Sequence, residues 1–409
     1  MTKPSLKRSL SLPLLTFYGL GTIIGAGIYV LIGAVAGKAG LYAPISFVLA
    51  AIIAGFTAFS YAELSSRLPR SAGEALYIQE AFHIRWLSRT TGWSVVTIGI
   101  VSSATIANGF VGYLDAFIGV PAWLAVAVLV IAMGLIAGWG ISESVWLATV
   151  ITLIEIGGLL YVIVLGGEAL MQLPSRWSEL IPPLDSAAWG GILVGAFLAF
   201  YAFIGFEDMV NVAEEVNDAP RILPRAIVLA LVISTLCYLS IAVVSVLAVP
   251  IEQLAASEAP LAAVIKSSSH GHTLLISAIG IIAVVNGAMI QIIMASRVLY
   301  GMGRTQLAPA FLATIHPRTR TPLLATTLVT LVILVLALWL PLVTLAQLTS
   351  MITLAVFTSV NVALIKLKQR GEHPSAFINT PAWVPWIGAG MCLLFLLFQV
   401  ADAVRSIMP

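Results

Sequence analysis

Eleven stretches of this chain run for about 20 residues or more with few or no charges, the length a helix needs to cross the hydrocarbon of a bilayer. They fall at 12–36, 42–64, 84–117, 121–138, 143–167, 187–216, 223–249, 272–300, 322–340, 343–366 and 383–404. Of the 409 residues 60% are hydrophobic and only 9% charged, with a mean hydropathy of +1.05, so the chain is too apolar for a water-soluble fold. The expectation is an all-α polytopic membrane protein with 11 transmembrane segments, a single membrane domain over 1–409. The longest outer loops, Gly167 to Ser186 and Pro250 to Gly271, leave no room for a soluble domain. Function has to lie within the bilayer.

Charge sets the orientation. With the N-terminus in the cytoplasm, inner flanks hold 16 Lys and Arg, among them Lys3, Lys7, Arg8, Arg85, Arg297, Arg304 and Arg320, and outer flanks hold four, Lys38, Arg176, Lys266 and Arg405. The positive-inside bias decides for that topology, which puts Pro409 outside. Met1 to Leu12 is short and basic, and no persuasive cleavage site follows it, so it reads as a retained anchor. A net charge of +2 with no basic run gives no sign of a nucleic-acid partner. Cys237 and Cys392 lie in separate apolar segments as two buried thiols, so neither a metal nor a disulfide is expected. All five histidines, His83, His270, His272, His316 and His373, fall in loops or at segment ends as solvated residues.

The first segment contains GLGTIIGAGIY, Gly19 to Tyr29, with four glycines in eleven positions. Each glycine costs a helix roughly 1 kcal/mol relative to alanine. One reading is a break inside a membrane helix. Unwound backbone survives at bilayer depth only where it is buried in protein or lines a wet cavity, and a half-helix starting near Gly25 would aim free N–H groups at a carboxylate. The other reading is a glycine face for tight helix packing. A dinucleotide loop is excluded, because Ile24 stands where the third glycine belongs and no strand precedes it.

Segment six repeats the pattern, with Gly205 followed by Phe206, Glu207 and Asp208. Adjacent acids cannot face lipid, since each costs at least ~2.5 kcal/mol there, so a second break is expected. Breaks in the first and sixth segments divide the chain into halves, 12–167 (segments 1–5) and 187–366 (segments 6–10), with 383–404 as an extra segment. Five segments per half inverts the second half, the pattern of five-plus-five inverted-repeat transporters with midplane sites.

Other intramembrane polar groups are few. Glu155 stands alone in segment five, either as a neutral carboxyl tied to a neighbouring helix or as a titrating proton carrier. Glu214 and Glu215 read as interfacial or paired with Arg67, Arg70 or Arg221. Asn108, Asn286, Gln291 and Gln347 read as helix ties, with lining of a pathway as the other option.

On GTIIGAGIY (Gly21–Tyr29), FYAFIGFEDMVNVAEEV (Phe200–Val216) with Pro220 and Pro224 after it, and NGAMIQIIMASRVLYGMGR (Asn286–Arg304), the chain resembles the amino acid, polyamine and organocation transporters, essentially throughout its first ten segments. The resemblance implies the five-plus-five inverted repeat and alternating access. It implies a substrate carboxylate on Gly25, Ala26 and Gly27, and an α-amino group held by backbone carbonyls that fall on Ile23, Tyr201 and Ile204. Many members have serine or threonine where Ala26 stands, so backbone amides would serve alone. The aromatic at Tyr201 resembles a lid over the substrate. Glu207 matches a family acid of proton-linked gating. Some proton-coupled relatives place a lysine near Glu155; this chain has an acid. Many relatives have twelve segments where eleven are read here.

Sodium coupling would want hydroxyl oxygens on segment eight, and none stands between Ser277 and Ser296, which favours protons or plain exchange. The sequence therefore points to a secondary active amino acid transporter of the cytoplasmic membrane, coupled to protons through Glu155 and Glu207, with no cofactor. The alternative is an amino acid or polyamine/cationic amine exchanger without a proton. Two other classes fare worse. A channel would need a continuous polar pathway, and a membrane enzyme a catalytic set that histidines outside the apolar core do not supply.

Overall fold

Backbone polar groups in hydrocarbon have to bond within their own segment, so each apolar run becomes a helix. The structure, a computed structural model, describes residues 10–70, 73–139, 145–268, 271–319, 321–371 and 376–407. Lys3, Lys7, Arg8, Arg320, His270, His373 and the start of the fifth expected segment at 143–144 lie outside the described residues. In chain order the helices are α1 (Leu12–Ala39), α2 (Ala43–Arg67), α3 (Gly73–Phe82), α4 (Arg85–Leu114), α5 (Ala122–Trp139), α6 (Val145–Leu165), the short turns α7 (Gly167–Leu170) and α8 (Leu173–Arg176), α9 (Ser186–Tyr201), α10 (Ala219–Ala248), α11 (Ile251–Ala256), α12 (Pro260–Ser267), α13 (Thr273–Arg304), α14 (Leu323–Trp339), α15 (Leu342–Arg370) and α16 (Trp383–Ile407). A 3₁₀ helix, Phe206–Glu215, stands between α9 and α10. The described residues contain no strand, only a single parallel bridge between Leu10 and Val216.

Each expected segment coincides with one long helix to within a few residues, the sixth with α9 and the 3₁₀ helix together. Eight described stretches are long and apolar enough to cross a membrane, the first of them, Leu12–Arg67, running through α1 and α2. Thr149–Leu165 and Leu323–Trp339 are shorter apolar helices. Proline enters the first turn of α1, α2 and α10, where its missing N–H costs nothing. Asp185 caps α9 by accepting from the Ala188 N–H at 2.8 Å.

The connections hold more structure than the apolar pattern suggests. α3 was not expected as a helix; it forms because Tyr77, Ile78 and Ala81 bury completely against the bundle. In the loop after α10, α11 and α12 fold back over the C-terminal half of α1.

α1 is the centre of the molecule, packed by α6, α9, α10 and α13. Helices around the outside present apolar side chains outward, such as Leu135 on α5, Val335 on α14 and Leu394 on α16. Tryptophans stand exposed at helix ends: Trp86, Trp123, Trp139, Trp339, Trp383 and Trp386. An apolar girdle bounded by amphipathic rings is how a protein meets a bilayer and its interfaces.

Candidate functional site

α1 is broken at Gly25, whose backbone (φ −1°, ψ −139°) is not helical. A half-helix restarts beyond it, and the first amides of a helix have no carbonyl partner inside that helix. α9 ends at Tyr201, the chain turns through Ala202 to Gly205, and the 3₁₀ helix continues from Phe206. Both readings of the glycine stretch therefore apply, at different positions. Gly25 carries the break, while Gly27 is packing: a Cβ built there would stand 2.8 Å from the Ala202 Cα.

The two breaks touch and are tied. Thr22 Oγ1 donates to the Gly205 carbonyl at 2.9 Å. The Tyr238 hydroxyl, from α10, reaches both the Ile23 carbonyl at 2.7 Å and the Ala202 carbonyl at 2.9 Å. Glu207 folds its Oε2 back to accept from the Gly205 N–H at 2.8 Å, at the residue before the 3₁₀ helix. Sequence reasoning missed Tyr238 and Thr22, and a lone tyrosine in an apolar helix or a threonine beside a glycine gives no spacing signal that would have found them.

Between the breaks lies a cavity of about 20 Å³, room for roughly one water. It is lined by Ile23, Gly25 and Gly27 from α1, by Tyr201 and Ile204 from the second break, by Ser102 and Ile106 from α4, and by Gly287, Ile290 and Gln291 from α13. Five of the six residues expected at the substrate thus surround one space; the sixth, Ala26, sits between Gly25 and Gly27. Tyr201 closes a wall of it with its hydroxyl 2.9 Å from Ser102 Oγ.

A second cavity of about 610 Å³ lies beyond, at the end of the bundle where the chain begins. Tyr18, Arg85, Asp208, Glu215 and Arg297 line it. Its size suits a small-molecule ligand. Ile290 lines both cavities, and Gln291 of the small one donates from Nε2 to Asp208 Oδ2 of the large one at 3.3 Å.

Glu155 lines neither cavity. It is fully buried on α6, where Asn286 Nδ2 on α13 donates to its Oε1 at 3.0 Å and its Oε2 has no hydrogen-bond partner. The Tyr29 hydroxyl, just past the α1 break, donates to the Glu155 carbonyl at 2.6 Å. Three of the four amides named from sequence bond across to other elements: Asn286 to α6, Gln291 to the second break, and Asn108 to the Leu340 carbonyl at 3.1 Å. Of the arginines set against Glu214 and Glu215, Arg67 bonds Glu63 and Arg221 reaches Asp218 at 3.6 Å.

An apolar helical bundle with two interrupted helices enclosing a buried cavity is the build of a membrane transporter. The family profile described as amino acid permease matches residues 10–407, and this chain belongs to that family. It is similar to the branched-chain amino acid permease BcaP of Bacillus subtilis (strain 168), 31% identical over 97% of this chain and 88% of that one. A methylthioribose transporter of the same organism is 30% identical over 96% and 88%. A vacuolar cationic amino acid transporter 4 of Arabidopsis thaliana is 31% identical over 89% of this chain and 64% of its own longer one.

Proposed function

We propose that this chain is a secondary active, proton-coupled amino acid transporter of the cytoplasmic membrane, with eleven spans, a cytoplasmic N-terminus and two inverted five-helix repeats. The substrate carboxylate docks on the amides of Gly25, Ala26 and Gly27, and its amine on carbonyls of Ile23, Tyr201 and Ile204. Glu155 and Glu207 carry protons.

The cavity between the two helix breaks carries this reading. It sets the positive end of a half-helix opposite unwound carbonyls in a space shielded from lipid, the complement of a zwitterion. An amino acid does not fit in about 20 Å³, so it enters when a wall moves, and Tyr201, tied at its hydroxyl to Ser102 on α4, is that wall. The large cavity at the N-terminal end of the bundle fits the cytoplasmic half of the route. Similarity to an amino acid permease and to a cationic amino acid transporter supports the substrate class. What supports the proton is Glu155, a buried carboxyl with one oxygen lacking a hydrogen-bond partner, on the helix beside the α1 break. Amino acid or amine exchange without a proton is the second reading, favoured by the Asn286 bond, which a purely structural acid would also make.

Uptake of a radiolabelled amino acid panel into sodium-free proteoliposomes, with and without an inward proton gradient, tests both. Wild type is expected to respond to the gradient, and Glu155→Gln to lose that response while keeping counterflow exchange. Exchange indifferent to gradient and substitution would establish the second reading instead.

A further inference from the structure

One polar atom at the small cavity is used by nothing above. The Gln291 side chain is buried, its Nε2 donates to Asp208 Oδ2, and the carbonyl oxygen of the same amide, Oε1, has no hydrogen-bond partner. The nitrogen end of the amide faces Asp208, whose oxygen accepts from it. The carbonyl is the end left for the cavity that Gln291 lines. The remaining polar side chains there are already matched: Ser102 with Tyr201, and Thr22 with the Gly19 and Gly205 carbonyls. Around the amide the walls are Ile106, Ile204 and Ile290. Among the described lining residues, Gln291 Oε1 is the one side-chain polar atom left without a hydrogen-bond partner.

Its position says which part of a substrate it meets. A Cβ built on Gly25 stands 4.0 Å from the Gly287 Cα, so Gly287 faces the carboxylate end. Gln291 is four residues further along α13, about 6 Å of helix. That is the reach of an amino acid side chain, measured from a carboxylate held at Gly25.

Resting on the transport reading above, we infer that Gln291 is a specificity-determining residue whose carbonyl accepts a hydrogen bond from an N–H or O–H on the substrate side chain. Asp208 is its positioning residue. The preferred substrates carry a side-chain donor, neutral or cationic, and apolar amino acids of the same shape are discriminated against. A leucine or valine leaves the buried carbonyl unpaired, and a site built to bond a donor penalises the analogue that lacks one.

The test uses near-isosteric pairs, threonine with valine, asparagine with leucine and lysine with norleucine. Each competes for uptake into proteoliposomes and, separately, stabilises the detergent-purified wild type against heat. The donor member of each pair is expected to act at about tenfold lower concentration or better. In Gln291→Met, which keeps the length and removes the acceptor, that preference is expected to vanish or invert. Wild type that treats valine and leucine as well as threonine and asparagine overturns the inference, whether or not the variant folds. A preference confined to lysine also overturns it, because that pattern belongs to the Asp208 charge. Gln291→Met with the wild-type ranking intact overturns it as well. If no member of the panel is taken up or stabilises the protein, the transport reading itself falls, a result distinct from all of these.

Discussion

Thr22 and Gly205 hold the two helix breaks together: the threonine hydroxyl donates to the Gly205 carbonyl at 2.9 Å, and a Cβ built on Gly205 would stand 2.5 Å from the Thr22 carbonyl. Gly205 also has φ +129°, a conformation that side chains rarely adopt. Alanine there meets both obstacles, and the obstacle in front of it is backbone. Gly205→Ala is expected to cost at least about 1–3 kcal/mol from the backbone conformation alone and to abolish uptake. Thr22→Val, which removes one hydroxyl donor shared between the Gly19 and Gly205 carbonyls, is expected to cost about 1 kcal/mol and to leave the fold intact. Thermal unfolding in detergent and proteoliposome uptake check both.

Tyr238 is a separate tie between the same breaks. Its hydroxyl serves the Ile23 and Ala202 carbonyls, and its ring packs edge-on against Phe203 and Phe47. Tyr238→Phe keeps the ring and strips the donor from two buried carbonyls. A loss of about 1–3 kcal/mol is expected. Because freed carbonyls at Ile23 and Ala202 alter how the amine end is met, half-saturation for uptake is expected to change more than it does in Thr22→Val. Equal stability and unchanged half-saturation would refute a role for this hydroxyl.

How far the sequence reaches depends on the scale of the signal. Apolar runs give the long helices because in hydrocarbon nothing competes with a helix. Gly25 and Gly205 give the breaks because glycine accepts non-helical backbone and adjacent acids cannot face lipid. α3 was illegible, since ten residues with two acids in GEALYIQEAF look like a solvated loop until Tyr77 and Ile78 are buried. Glu63 was missed for a related reason: it ends an apolar run next to Arg67, where a charge reads as interfacial, yet it is fully buried. Tyr238 and Gln291 depend on which way a helix faces, which no local pattern records.

Glu63 holds the end of the bundle below those breaks. Its Oε1 accepts from Arg67 Nε at 2.9 Å and from Lys368 Nζ at 2.7 Å, and its Oε2 accepts from the Thr380 N–H at 2.9 Å. One carboxylate thus joins α2, the end of α15 and the segment before α16. Removing a single partner from a buried ion cluster leaves uncompensated charge, here two cations. Glu63→Ala is expected to cost about 3–5 kcal/mol and to lower the yield of folded protein. Circular dichroism melts of the purified variant measure it, and a loss below about 1 kcal/mol would reclassify the cluster as a surface pair.

Glu74 on α3 supplies a pH dependence. Burial raises its carboxyl above the usual range, against the smaller opposing pull of its backbone bond and of the Tyr61 hydroxyl, which donates to its Oε1 at 3.0 Å. The folded state therefore holds this proton more tightly than the unfolded chain, whose carboxyl releases it near pH 4.3. Where the folded state binds more protons, stability falls as pH rises. The loss begins above about pH 4.3 and is complete once pH has passed the folded-state value. Glu74→Gln keeps an oxygen for Tyr61 and carries no proton to lose. The variant is expected to match wild type near pH 4 and to be the more stable of the two at neutral pH, with a shallower decline between. Melting temperatures of both proteins across about pH 4 to 8 decide it: parallel curves would mean that Glu74 does not titrate against folding, and a variant less stable at neutral pH would mean that the ionised carboxylate is a net support for α3.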